Sequence, residues 1–142
     1  MKLETVMICD DIRQELGGKQ SLMGLYNDII LFEPVPAGAQ AWPKLMKLAF
    51  FIRLTLDEKE SIPPGASFSF SYSRGDESVE ILRSPILMKT SAPSRVVNLS
   101  IVANPFIIKG PGEMSFSLQL YNADGKTIKA FPQAGVIRME QR

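Results

Sequence analysis

The side chains best suited to chemistry in this chain are carboxylates. Asp10, Asp11, Glu15 and Asp28 fall close together in the sequence, and Asp57, Glu58 and Glu60 form a second group. Converging carboxylate oxygens can hold calcium, and two facing carboxylates can hydrolyse a glycoside. Neither group has the spacing signature of such a site. The plain reading is solvated loop charge, and the sequence leaves open whether Asp10, Asp11 and Asp28 converge on an ion. The chain has no histidine. That removes Ser-His and Cys-His nucleophile systems and zinc sites built on Cys and His. No Gly-rich phosphate loop precedes a helix. These absences lead us to expect a protein that is not an enzyme and uses no cofactor or metal.

The lone cysteine, Cys9, sits in the apolar run Val6-Met7-Ile8-Cys9 and is followed by Asp10 and Asp11. Flanking carboxylates disfavour a thiolate, so the expectation is a small buried core residue. Arg74-Gly75-Asp76 matches an adhesive tripeptide but falls where a hairpin tip needs Gly and Asp anyway. Asn98-Leu99-Ser100 matches a glycosylation sequon, yet it lies inside a strand pattern. The stretch Glu33 to Pro43 is the longest connection without strand character, and it holds Pro34, Pro36, Trp42 and Pro43. Long loops in compact domains are often functional, and prolines reduce the entropy lost when a partner orders a loop. Pro34, Pro36, Trp42 and Pro43 are therefore the candidate partner-binding residues. The competing role for Trp42 is to fold back and cover one end of the core.

These residues must be positioned by strands, because the dominant period is two. In Ala66 to Ser73, aromatic rings take the even positions and serines the odd ones. This places three rings on one face and hydroxyls on the other, wet face. Met114 to Leu120 repeats the pattern. Met46, Leu48, Phe50, Ile52, Leu54 and Leu56 share one face, opposite Lys47, Arg53 and Thr55. Val97, Leu99, Ile101 and Ala103 form another row. Phe50, Ile52, Phe68, Phe70, Phe116 and Leu118 are the expected core.

Weaker strands are expected at Leu3 to Cys9, Ser21 to Tyr26, Asp28 to Phe32, Val79 to Leu82, Thr127 to Phe131 and Val136 to Glu140. Gly17-Gly18-Lys19 and Ser73-Arg74-Gly75-Asp76 read as hairpin closures. Asp10 to Leu16 is the one helical candidate, a turn that Asp10 would cap. The ten prolines, Pro93 among them, mark edges and bends rather than central strands.

The chain has 142 residues, net charge +1 and no run of basic residues. That is one domain's worth of chain, long enough to bury a core without staples. Mixed charge disfavours a nucleic-acid partner. No stretch reads as a membrane helix or a targeting segment, and the unpaired cysteine suits a reducing compartment. We expect a cytoplasmic protein, bacterial or made in an infected host cell.

The N-terminal third is the most distinctive part: Ile8-Cys9-Asp10-Asp11, then Gly18-Lys19, then Leu22-Met23-Gly24-Leu25-Tyr26. It resembles a family of small bacterial and phage proteins defined as a domain of unknown function. In that family a strand ending in a Cys-Asp or Ala-Asp type step leads through a Gly-Lys turn into a strand of the form Leu-x-Gly-x-Tyr or Leu-x-Gly-x-Phe. The Asp124-Gly125-Lys126 turn agrees as well. The resemblance implies a β-sandwich in a bacterial or phage setting and carries over no catalytic residue.

The expected fold is thus a single all-β domain over residues 1–142. It is an antiparallel two-sheet β-sandwich of about eight to nine strands, immunoglobulin-like or C2-like. The expected function is a non-enzymatic binding module with a protein partner, with self-association through edge strands as one route. The alternatives are a small structural or accessory component of a phage particle or related assembly, and a small-ligand binder.

Overall fold

The computed structural model describes residues 1–87 and 95–142, so Pro93 lies outside the described residues. Among the described residues nine strands run in chain order: β1 Lys2–Gln14, β2 Gln20–Tyr26, β3 Ile29–Phe32, β4 Lys44–Thr55, β5 Ser67–Arg74, β6 Glu77–Pro85, β7 Val96–Ile108, β8 Gly112–Tyr121 and β9 Thr127–Gln141. They form a four-stranded sheet of order β2-β1-β4-β7 and a five-stranded sheet of order β3-β9-β8-β5-β6. The architecture is an all-β sandwich. All pairings are antiparallel except β3 with β9, which is parallel. A parallel neighbour needs a long connection, and here residues 33–126 lie between the two strands.

The alternating rows meet between the sheets. Phe50, Phe70, Phe116, Ile52 and Leu118 are at most 1% exposed, and Phe68 is also buried. The Phe50 ring lies 4.9 Å from both Phe70 and Phe116, and the latter two stack at 5.6 Å. Offset and edge-on rings add about 0.5–1.5 kcal/mol per pair to the burial term. Val97, Leu99 and Ile101 are buried on β7 as the pattern requires.

Four expectations need correction. First, Asp10 to Leu16 is not a helical turn: β1 continues to Gln14, with Asp11 opposite Met23 and Arg13 opposite Ser21. Pairing along β2 outweighs a weak cap, and only Leu16–Gly18 winds into a 3-10 turn. Second, the two strands expected between Thr127 and Glu140 are one. β9 passes through Pro132 by a bulge, since Leu118 pairs Phe131 and Phe116 pairs Gly135. Third, Pro105 and Pro132 both lie within strands. Pro105 occupies an edge strand at a register shift and Pro132 occupies the bulge, so neither interrupts a regular ladder. Fourth, Ser69 does not face water. It is buried, and its hydroxyl lies 3.0 Å from the Tyr121 hydroxyl.

The outer face of the four-stranded sheet is also drier than a one-sided pattern implies. Ala49 and Phe51 point away from the core row yet are buried. The β1–β2 hairpin covers them. Gln20 at the start of β2 donates from Nε2 to Ser100 Oγ of β7 at 2.7 Å, although these strands lie at opposite edges of the sheet. The hairpin therefore curls across the outside of β4.

Candidate interaction surface

The first carboxylate group is dispersed by the strand that carries it. Successive residues of a strand point to opposite faces, so Asp10 and Asp11 diverge. Asp10 Oδ1 accepts the Tyr26 hydroxyl at 2.5 Å. Asp11 Oδ1 lies 2.7 Å from Lys47 Nζ, and this hydrogen bond holds its carboxyl below the ordinary value. Asp28 sits just before β3, where its carbonyl accepts the Arg138 N–H. In the second group, Glu60 accepts the Asp57 N–H and Glu58 pairs with Arg95 at 3.5 Å. Among the described residues, no three acidic or cysteine side chains gather to hold a metal ion.

Cys9 is fully buried, and its thiol donates weakly to the Asp11 carbonyl at 3.4 Å. Burial pushes the thiol pKa up, with Asp10 and Asp11 adding to the rise. It is a packing residue on the covered face of β1. The Arg74-Gly75-Asp76 tip closes the β5–β6 hairpin, and Arg74 donates to the Pro111 carbonyl at 3.0 Å. Its guanidinium is thus engaged with the neighbouring turn.

The loop from Glu33 to Pro43 joins the two sheets, leaving β3 and entering β4. Both of its ends are fastened. At the root, Gln141 Nε2 donates to the Glu33 carbonyl at 2.5 Å and the Arg142 N–H donates to the Phe32 carbonyl at 3.1 Å. At the far end, Trp42 is half-buried against the core, edge-on to Phe32 with ring centroids 5.5 Å apart. Lys44 Nζ lies 5.3 Å from the Trp42 ring and 5.2 Å from Phe32. A cation at that distance from two ring faces stabilises by about 0.5–1 kcal/mol at a partly exposed site. Between these anchors, Pro34 and Pro36 are exposed, and Pro43, next to the half-buried Trp42, is exposed as well. Ala39 donates to the Pro36 carbonyl at 3.0 Å, which closes a turn at the tip.

The same end carries apolar side chains in solvent. Ile29 and Leu31 project outward from β3, and Val35 follows on the loop. The structure therefore brings Pro34, Pro36 and Trp42 together with an exposed apolar row that composition alone did not reveal. The signal was the alternation Ile29-Ile30-Leu31-Phe32, in which only Ile30 is fully buried. An apolar residue at each of four positions leaves two for the outside of an edge strand.

A model of a family of unknown function (DUF6941) matches residues 4–134. The chain belongs to that family. The DUF6941 match runs from the start of β1 to the bulge of β9, far beyond the N-terminal third that carried the resemblance. No curated protein matches the chain. Within this DUF6941 domain the Cys-Asp, Gly-Lys and Leu-x-Gly-x-Tyr signature is one structural unit. Gly24 has φ +67°, and a Cβ there would lie 2.1 Å from Asp10 Oδ2. Glycine thus admits the carboxylate that Tyr26 binds.

A shallow groove of about 510 Å³ opens between the first residues of β1 and the first half of β9 in the DUF6941 sandwich, lined by residues 1–3 and 129–133. Its polar side chains, Lys2, Lys129 and Gln133, offer no acid–base pair. Among the described residues, no helix is long and apolar enough to cross a membrane.

Proposed function

We propose that this protein is a non-enzymatic interaction module, cytoplasmic and of bacterial or phage origin, that binds a protein partner through the Glu33–Pro43 loop and the outer side of β3. One observation carries the reading: a proline-rich loop fastened at both ends stands beside the solvent-exposed row Ile29, Leu31 and Val35. A fastened loop has little conformational entropy left to lose, so apolar contact on it is retained as affinity. Trp42 acts as the post that holds the loop, and Pro34, Pro36 and Val35 form the rim that a partner meets.

The test uses the full chain as bait in extracts of its source cells, with quantitative proteomics as readout. Leu31→Asp and Val35→Asp should leave the melting temperature unchanged and lose the same bound proteins. A matched surface change, Glu80→Ala on β6, should retain them. Loss of binding in the β6 variant alone would move the surface elsewhere.

A second reading, a structural component of a phage particle or related assembly, is favoured by one different feature: the long uncharged edge of β7.

A further inference from the structure

Sheet edges invite pairing with other chains, and proteins defend them with charge, proline, bulges or brevity. Most edges here are defended. β6 carries Glu77, Glu80 and Arg83. β3 has four residues. β2 has seven residues and carries the left-handed Gly24. The half of β1 beyond the reach of β2 carries Lys2 and Glu4, and the corresponding half of β9 carries Lys129 and the Pro132 bulge.

β7 differs. It is 13 residues long, contains no charged side chain, and pairs only with β4 among the described strands. Its proline and register shift lie near its C-terminal end, at Asn104-Pro105, and residues 97–103 pair with β4 in unbroken register. That stretch reads Val-Asn-Leu-Ser-Ile-Val-Ala. On its outer face Asn98 is exposed and Val102 is 46% exposed.

We propose that β7 pairs antiparallel with β7 of a second copy of this chain, about a two-fold axis at Ser100, joining two four-stranded sheets into one of eight. The occupant follows from charge and register. A two-fold axis at Ser100 sets Leu99 against Ile101, Asn98 against Val102 and Val97 against Ala103. Every pair is uncharged; Leu99 and Ile101 are both buried, and buried Val97 meets half-buried Ala103. The flanking cations do not oppose it: Arg95 is paired with Glu58 and Lys109 with Glu77. An isologous edge of this kind closes on itself and leaves no free β7. The surface uses different residues from the loop described above and does not depend on it.

The register makes a sign-specific test. Asn98 of one copy faces Val102 of the other, twice. Asn98→Asp keeps an acceptor for Arg53 Nε, which bonds Asn98 Oδ1 at 3.0 Å. Adding Val102→Asp then creates two like-charge cross-strand pairs, whereas adding Val102→Lys creates two opposite-charge pairs. Sedimentation equilibrium of the full chain should give a dimer for the wild type. The Asp/Asp variant should dissociate about tenfold or more readily than the Asp/Lys variant, with both retaining a β spectrum. A wild type that is monomeric throughout the concentration series overturns the proposal and leaves the edge to a strand from another protein. Equal dimer strength in the two variants also overturns it, because the contact would then lie elsewhere. If the Asp/Asp variant fails to fold, amide exchange of the wild type decides: protection of residues 97–103 should rise with concentration, and no change contradicts the pairing.

Discussion

Tyr26 donates its hydroxyl to Asp10 across Gly24, and the glycine is what lets the carboxylate reach it. The signature of the N-terminal third is therefore a local fastening of the β1–β2 hairpin. Two steric terms meet at Gly24, and they can be separated. Gly24→Ala forces a side chain into left-handed backbone, at about 1–2 kcal/mol, and also displaces Asp10. Gly17, with φ +78° and open space at its Cβ position, carries only the first term. In urea melts Gly24→Ala should cost more than Gly17→Ala by at least about 1 kcal/mol. The excess should shrink when Asp10→Ala is added, as a double-mutant cycle requires. Equal costs would mean that Asp10 moves aside freely.

The same contact sets a pH dependence. Burial, then the hydrogen bond and charge of Asp10, raise the Tyr26 pKa to about 12 from an ordinary 10. The folded state holds the phenolic proton more tightly than the unfolded chain. The contribution to stability is thus complete below pH ~10 and declines as pH rises from ~10 to ~12. In Asp10→Asn the Tyr26 ring should titrate at lower pH in an NMR titration. An unchanged midpoint would show that burial alone holds the phenol.

Phe70 is fully buried against both Phe50 and Phe116, so Phe70→Ala should lose about 3–5 kcal/mol. Ser69, one residue away on the other face, should lose about 1 kcal/mol as alanine, because its buried hydroxyl meets Tyr121. Chemical denaturation with both variants checks the order. A larger cost at Ser69 would put the register of β5 out by one.

Much of this fold was legible because strand burial has period two. The rows at Phe50, Phe70 and Phe116 marked the core directly, and Gly17-Gly18-Lys19 marked the first hairpin. What could not be read was tertiary. Ser69 looks solvated in an alternating string, and only the position of Tyr121 buries it. Asp10 looks like a helix cap until β2 is laid beside it. Pro132 looks like a strand end unless the bulge opposite Leu118 and Phe116 is known. At the candidate surface, the prolines and Trp42 were visible in the sequence. The outward row Ile29, Leu31 and Val35 was not, because whether an apolar residue faces core or solvent depends on which edge its strand occupies.

Trp42 is the single tryptophan, so its environment can be read directly. As the post that fastens the loop, it should emit with a blue-shifted maximum and resist quenching. Trp42→Ala should destabilise by about 2 kcal/mol, below the 3–5 kcal/mol of a fully buried ring. A red-shifted, freely quenched indole, with no stability loss on substitution, would make it part of the rim instead.

Site-specific photocrosslinking in the source cells tests the binding role most directly. A photoreactive residue placed at Val35 should yield a discrete adduct with one or a few proteins on irradiation. The same residue placed at Glu80 on β6 should not. Adducts of equal yield at both positions, or none at Val35, would contradict the account.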